Sequence, residues 1–153
     1  MTVCILGNSL TALTLAKALV NHEIEVHVYF NKKNYKISDS RTIGIAKNNV
    51  DFFNSNIINI KKLLWNLKRI EIFSEHLGKE KLVGFKANEN QLFSIIKNNK
   101  LYKLLEKDLS KNKFFRSKFS NEKKLSFLKK YELIINCDSS NSITNRFFSK
   151  KIT

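Results

Sequence analysis

The sequence predicts an α/β fold with a parallel sheet, because its first thirty residues contain a strand, a helix and a second strand in succession. Thr2–Leu6 (TVCIL) is a short and nearly continuous apolar run, which is typical of a parallel strand buried on both faces. Glu25–Phe30 (EVHVYF) is a second strand, and the two strands with the helix make one βαβ unit. Apolar residues at three- and four-residue spacing indicate the helix: Leu10, Leu13, Ala16, Leu19 and Val20.

The middle of the chain carries shorter patterns. Helical spacing predicts a helix that begins at Asn48, one or two amphipathic turns over Ile60–Leu67, and a helix over Asn99–Leu109. Strict alternation over Arg69–Glu75 predicts a strand of a second sheet, with Lys81–Lys86 as its expected partner.

Two segments near the C-terminal end complete the expected elements. Lys111–Lys130 is rich in lysine with spaced phenylalanines, and we expect a hairpin or a loop there. Tyr131–Asn136 (YELIIN) is predicted to be a final buried strand. We assign the lone Trp65 and most of the phenylalanines to the core rather than to a base-stacking surface.

Composition excludes several classes of protein. The chain has 153 residues, of which 42% are hydrophobic, so it can bury a core and is not a disordered tail. Two cysteines are too few for a disulfide scaffold. No run approaches the roughly 18 apolar residues of a membrane-spanning helix, and the N-terminus lacks the basic region of a secretory signal. We therefore expect a cytoplasmic protein with reduced thiols.

The chain is strongly basic, with 28 Lys and Arg against 13 Asp and Glu, a net charge of +15. Most of this charge is lysine, and the accompanying bias toward Asn and Ile is typical of A/T-rich codons, so we interpret it as a solvated surface. Its field draws the protein weakly toward nucleic acid or an anionic membrane. No motif of a specific nucleic-acid site is present.

The turn between the first strand and the first helix is the main candidate binding site. Gly7, Asn8, Ser9 and Ala12 form the pattern G-x-S-x-x-A, a variant of the glycine fingerprint that holds a dinucleotide pyrophosphate at a helix N-terminus. Ser9 stands where the fingerprint has its second glycine. An ordinary strand-to-helix turn is the alternative interpretation.

Three other positions belong to the same hypothesis. Phe30 ends the second strand where a ribose-binding carboxylate is usual, and Asn31 follows as a weaker ribose ligand. Arg41, one of only four arginines, is a candidate phosphate ligand. Asp138 follows the last strand, at the sheet edge where α/β folds bind ligands, although a helix N-cap is an alternative role for it.

The sequence assigns no catalytic acid, base or nucleophile and no metal ligands. His22, His27 and His76 lack metal-ligand spacing, and Cys4 and Cys137 are expected to be small buried side chains.

With these residues placed, the chain resembles the N-terminal part of the FAD-dependent aromatic-ring hydroxylases, specifically the ubiquinone-biosynthesis group (2-octaprenylphenol and methoxyphenol hydroxylases). The resemblance rests on five segments in the family's order: Val3–Phe30, Asp39–Phe53, Leu63–Glu75, Leu92–Leu109 and Tyr131–Ser142. It implies a Rossmann-like FAD-binding region, about residues 1–55 and 131–153, and the start of a substrate-side sheet over about residues 69–98. Gly7, Asn8, Ser9, Ala12, Asn31, Arg41 and Asp138 are then the expected cofactor-binding residues.

The resemblance also implies a function and partners. FAD would be reduced by NAD(P)H in the complete enzyme, and the substrate would be a lipid-linked aromatic ring, with weak peripheral contact at the inner membrane surface. Because the chain stops at Thr153, before the family's second flavin motif, we expect the isolated chain to be incomplete and inactive, or completed by a C-terminal partner chain. The alternative is a basic Rossmann-like interaction module that no longer binds flavin, since Ser9 and Phe30 depart from the family pattern.

Overall fold

The computed structural model describes residues 1–30, 41–75, 78, 80–86, 93–119 and 125–138. These residues fall into two compact units, one within Met1–Ile37 and Tyr102–Thr153 and the other within Ser38–Leu101. In chain order the helices and strands are β1 (Thr2–Leu6), α1 (Leu10–Asn21), β2 (Glu25–Phe30), β3 (Thr42–Ala46), α2 (Lys47–Phe52), β4 (Trp65–Leu67), β5 (Arg69–Phe73), β6 (Lys81–Lys86), β7 (Phe93–Lys97), α3 (Asn98–Leu109), β8 (Phe115–Phe119) and β9 (Leu133–Asn136).

The βαβ unit predicted at the N-terminus is confirmed. β1 and β2 pair in parallel register, from Thr2 opposite Glu25 to Leu6 opposite Tyr29. α1 packs against both strands and buries one stripe of small and aliphatic side chains at helical spacing, namely Ala12, Leu13, Ala16 and Val20. Because β1 has a strand on each side, its middle residues are completely buried, as the continuous apolar run predicts.

The described part of the first unit contains a four-stranded parallel sheet in the order β8-β2-β1-β9. The hairpin or loop predicted over Lys111–Lys130 is wrong, because Phe115–Phe119 is a strand parallel to β2 and Leu125–Lys130 is a 3-10 helix. β8 lies at the end of the sheet, and charged side chains are common on such edge strands. Its two cations, Arg116 and Lys118, hide the apolar pattern by which a strand is recognised in sequence.

The last strand is confirmed over Leu133–Asn136, parallel to β1. Its predicted burial is wrong in part: Leu133 and Ile134 are 45% and 41% exposed. β9 is the last strand in the order of the described sheet, so only one of its edges pairs with a neighbouring strand. Tyr131, which precedes β9, is buried.

The described part of the second unit contains antiparallel sheets, α2 and the first residues of α3. β3, β7 and β4 form a three-stranded sheet in the order β3-β7-β4, and β5 pairs with β6. The strand predicted at Arg69–Glu75 and its pairing with Lys81–Lys86 are therefore confirmed. α2 is also confirmed, and its helix continues as a π-helical turn over Phe53–Ile57.

The prediction for Ile60–Leu67 is wrong in its second half. A 3-10 turn covers Lys61–Leu63, but β4 follows and pairs antiparallel with β7. Trp65 is 72% exposed, so the expectation that it belongs to the core is also wrong. Because β4 has only three residues, its alternation is a weaker pattern than the helical spacing of the leucines in this segment. The strand is recognised only from its pairing with β7.

Candidate functional site

Gly7 forms the turn at the carboxyl end of β1, with a φ of +100°. Its N–H donates to the carbonyl oxygen of Tyr29 at 2.7 Å, which continues the pairing with β2 past the end of the strand. A Cβ atom at Gly7 would lie 3.0 Å from the Cβ of Asp138 and 3.3 Å from the Asp138 nitrogen. Both the backbone angle and the close approach therefore require glycine at this position.

The end of β9 brings Asp138 to this turn. The Cys137 N–H donates to the carbonyl oxygen of Leu6 at 2.9 Å, and the Asp138 N–H donates to Asn136 Oδ1 at 3.1 Å. These bonds extend the parallel pairing of β1 and β9 by one step and then bend the chain over Gly7. The structure thus brings together the two candidate residues that the sequence placed at the ends of separate strands.

Ser9 caps α1 at its N-terminus. Its Oγ accepts a hydrogen bond from the Ala12 N–H at 3.3 Å, and its carbonyl oxygen accepts from the Leu13 N–H at 3.0 Å. Ala12 is completely buried, so this position serves close packing of helix on sheet, the role of the third fingerprint residue. No acidic residue lies in the first turn of α1, so no side chain of that turn neutralises the positive end of the helix dipole.

The end of β2 differs from a dinucleotide site. Phe30 packs edge-to-face against Phe119 of β8, with 6.3 Å between ring centroids. An apolar pair therefore fills the end of β2 where a carboxylate would bind ribose hydroxyls. Asn31, the other candidate ribose ligand, lies outside the described residues.

Arg41 belongs to the second unit, directly before β3. Its side chain is exposed, and its carbonyl oxygen accepts a hydrogen bond from the Asn98 N–H at 2.9 Å. An exposed guanidinium is available for phosphate, which is the role that the sequence resemblance implies for it.

A polar cluster that shares Tyr29 with the glycine turn was missed by the sequence analysis. The Tyr29 and Tyr131 hydroxyl oxygens are 2.7 Å apart, Tyr131 Oη lies 2.6 Å from His27 Nδ1, and His27 Nε2 lies 3.1 Å from Glu25 Oε1. Alternation in β2 places Glu25, His27 and Tyr29 on one face and was visible in the sequence. The contact with Tyr131 was not visible in the sequence, because Tyr131 lies 102 residues further along the chain than Tyr29.

Burial and neighbouring charges shift the titration of this cluster. Burial lowers the pKa of His27, as does the Lys118 ammonium, while Glu25 opposes both effects. Burial and the hydrogen bond with Tyr29 raise the pKa of Tyr131 well above its ordinary value. Burial raises the pKa of the nearby Cys4 thiol to about 11. At neutral pH these shifts leave His27 and the Tyr131 phenol uncharged, whereas the hydrogen bonds with His27 and Thr2 lower the pKa of the Glu25 carboxyl and keep it ionised.

A surface cavity of about 190 Å³ lies in the second unit, lined by Arg69, Glu71, Lys81, Gly84, Phe85 and Lys86. Glu71 pairs there with both Arg69 and Lys81, which lowers the pKa of its carboxyl group. Because these charges already neutralise one another in part, we do not take this cavity as the functional site.

The described residues contain no group of three or more His, Cys, Asp or Glu side chains arranged to hold a metal ion. None of their helices combines the length and the apolar character needed to cross a membrane.

No protein-family model matches this chain, and no curated protein matches it significantly in sequence. Solved structures do match its fold. The 2,6-dihydroxypyridine-3-hydroxylase of Arthrobacter nicotinovorans matches 76% of this chain at 16% identity, with a TM-score of 0.56. The p-nitrophenol 4-monooxygenase PnpA of Pseudomonas putida DLL-E4 matches 77% at 12% identity and a TM-score of 0.60. The flavin-dependent monooxygenase PieE, solved with FAD and substrate, matches 78% at 12% identity and a TM-score of 0.60.

The chain spans 28%, 32% and 24% of the lengths of these three proteins. At such identities the match concerns the fold alone, and it confirms the predicted fold class. The described residues share the fold of part of these proteins, with a parallel sheet and glycine turn in one unit and smaller antiparallel sheets in the other.

Proposed function

We propose that this chain is the cofactor-holding part of a FAD-dependent monooxygenase that acts on aromatic substrates. The observation that carries the proposal is the approach of Asp138 to Gly7, at the carboxyl ends of two neighbouring parallel strands and directly before the N-terminus of α1. This edge of a parallel sheet is where α/β folds bind nucleotides. The solved structures of the same fold include one that holds FAD.

The residues at the turn fit a pyrophosphate. Gly7 keeps side-chain atoms away from the backbone, the first N–H groups of α1 have no acceptor within the helix, and Ala12 allows helix and sheet to pack closely. Asn8 and Ser9 would lie along the phosphates. Because a pyrophosphate is anionic, the Asp138 carboxylate is better suited to ribose hydroxyls than to phosphate oxygens.

The end of β2 does not fit a ribose in the usual way, since Phe30 and Phe119 occupy it. We therefore assign recognition of the ribose to Asp138 and Asn31 rather than to β2. Arg41 is the proposed ligand of a phosphate oxygen. These residues bind and orient the cofactor, and none of them is proposed as an acid or base.

When bound, FAD would supply the redox chemistry, namely acceptance of a hydride from NAD(P)H, reaction with oxygen and hydroxylation of the ring. The finer proposal, a ring of a lipid-linked ubiquinone precursor with weak peripheral membrane contact, is supported by the sequence resemblance. The same resemblance supports the proposal that the remaining part of the fold is supplied by further polypeptide.

FAD binding is the first test. We expect a dissociation constant on the order of micromolar by quenching of flavin fluorescence, and we expect Gly7→Asp to abolish binding. Gly78→Asp is the matched control, because Gly78 also has a positive φ but has no atom within 4 Å of its Cβ position. Binding that survives in a folded Gly7→Asp variant would remove the glycine turn from the site.

The second candidate is a basic interaction module that has lost flavin binding, and the Phe30–Phe119 pair at the end of β2 favours it. It predicts no flavin binding under any condition, together with binding to anionic vesicles or nucleic acid that weakens steeply with salt. Absence of binding to both the anionic vesicles and nucleic acid would exclude this candidate.

A further inference from the structure

Tyr29 joins the glycine turn to the neighbouring polar cluster. Its carbonyl oxygen accepts the Gly7 N–H at 2.7 Å. Its buried ring stacks on Phe127 at 4.3 Å between centroids, and its hydroxyl lies 2.7 Å from the Tyr131 hydroxyl. The residue that supports Gly7 through its backbone is therefore held through its side chain by Tyr131.

The hydrogen bonds of the cluster have a single direction when His27 is neutral. Nε2–H donates to the Glu25 carboxylate, so Nδ1 is the acceptor for the Tyr131 hydroxyl. The Tyr131 oxygen then accepts from the Tyr29 hydroxyl. Every donor in this chain of bonds has an acceptor, so the cluster is satisfied when His27 is uncharged.

Protonation of His27 disrupts this arrangement. Nδ1–H must then donate to the Tyr131 oxygen, so the Tyr131 hydroxyl loses Nδ1 as its acceptor. It can donate to the Tyr29 oxygen only if the Tyr29 hydroxyl gives up its own bond to Tyr131, so one of the two hydroxyl protons has no acceptor within the cluster. The Lys118 ammonium, 3.5 Å from Nδ1, would also face a new positive charge. The charged and titratable groups that surround His27 and Tyr131 are Glu25, Lys118, Lys130, Tyr29 and Cys4. Protonation of His27 is favoured by Glu25 and opposed by Lys118 and Lys130.

We propose that Tyr131 is a positioning residue for the glycine turn and that it acts through Tyr29 while His27 is neutral. Protonated His27 weakens the turn because it leaves one hydroxyl proton of the Tyr29–Tyr131 pair without an acceptor in the cluster. Only the consequence for FAD affinity rests on the proposed function, because the effect on Gly7 is a property of the chain itself.

Hydrogen exchange of the Gly7 amide in the ligand-free chain tests the first part. In Tyr131→Phe we expect the protection factor of the Gly7 N–H to fall about tenfold, the equivalent of one lost hydrogen bond, while the amides of Val3 and Ile5 change far less. Tyr102→Phe is the matched control, since it also removes a buried tyrosine hydroxyl but lies on α3 outside the cluster. Equal loss of protection at all amides, or no loss at Gly7, would overturn the proposal.

The pH dependence of Gly7 amide protection tests the role of His27. It also distinguishes positioning of the glycine turn from a general stabilisation of the fold. We expect Gly7 protection in the wild type to be lower at about pH 5 than at about pH 8, and His27→Gln to remove this difference while retaining a hydrogen-bonding side chain. An unchanged pH dependence in His27→Gln would overturn the role of His27.

The last measurement is the affinity for FAD over the same pH range. The wild type should bind more weakly at low pH, and His27→Gln should bind with less dependence on pH. If the wild type binds no FAD at any pH, the proposed function fails, and the Gly7 amide result still decides the positioning role.

Discussion

The Cβ atom of Asp138 lies 3.0 Å from the position that a Cβ would occupy on Gly7. We expect Gly7→Ala to cost about 1–3 kcal/mol in the free energy of unfolding, from a positive φ and this contact together. Gly78→Ala should cost less, because it has the backbone strain without the contact. Urea unfolding of the two variants measures the difference.

Asp138→Gly provides the complementary change. Removing the Asp138 Cβ should relieve the contact, so the double variant Gly7→Ala/Asp138→Gly should lose less stability than the two single variants predict, by about 0.5–1 kcal/mol. Strict additivity would show that the close approach is not responsible for the cost.

The ion pair of Lys17 on α1 with Asp108 on α3, 2.6 Å between Nζ and Oδ2, joins two helices of the first unit. The Lys17 side chain is only 12% exposed, so Asp108→Asn leaves a largely buried ammonium without its carboxylate. We expect a loss of about 1 kcal/mol in thermal or urea unfolding. Glu106→Gln, an exposed carboxyl on the same helix, should change stability by less, and an equal effect would contradict a specific role for the pair.

Stability should fall as the pH is lowered below about 6.5, the ordinary pKa of histidine. Burial and Lys118 lower the pKa of His27 in the folded protein, so the unfolded chain takes up the proton first. The loss begins as pH falls through the unfolded value and levels off below the folded one. The His27→Gln variant should lack this phase in urea midpoints measured between about pH 8 and pH 5, and a retained phase would point to another group.

The two cysteines should react with iodoacetamide at different rates. Cys4 is completely buried and its pKa is raised to about 11, whereas Cys137 is partly accessible. Because the thiolate is the reacting form, we expect Cys137 to be alkylated first at neutral pH and both to react in denaturant. Mass spectrometry of the Cys4→Ala and Cys137→Ala variants assigns the sites; faster labelling of Cys4 would contradict the burial described here.

Local patterns predicted the elements whose neighbours are close in sequence. The apolar run and helical spacing of the first thirty residues give β1, α1 and β2. The sequence predicted Asp138 only at the sheet edge after the last strand, and its approach to Gly7 is seen in the structure alone. Two strands were missed: β8, because the cations Arg116 and Lys118 interrupt its apolar pattern, and β4, because it has only three residues. The Tyr29–Tyr131 contact depends on tertiary packing alone, so no pattern in either segment predicts it.

The pairing of β1 with β9 also has a consequence for how the molecule folds. The Thr2 N–H donates to the Glu132 carboxylate across a separation of 130 residues, and the same long separation joins the two sides of the glycine turn. Closing so long a loop is entropically costly and slow, whereas β1, α1 and β2 are joined by local contacts. The second unit lies within that loop. We therefore expect β9, and with it the Asp138 side of the candidate site, to join the sheet last, after β1, α1 and β2 have formed. A ligand that contacts both Gly7 and Asp138 would stabilise the completed sheet relative to this partly folded state.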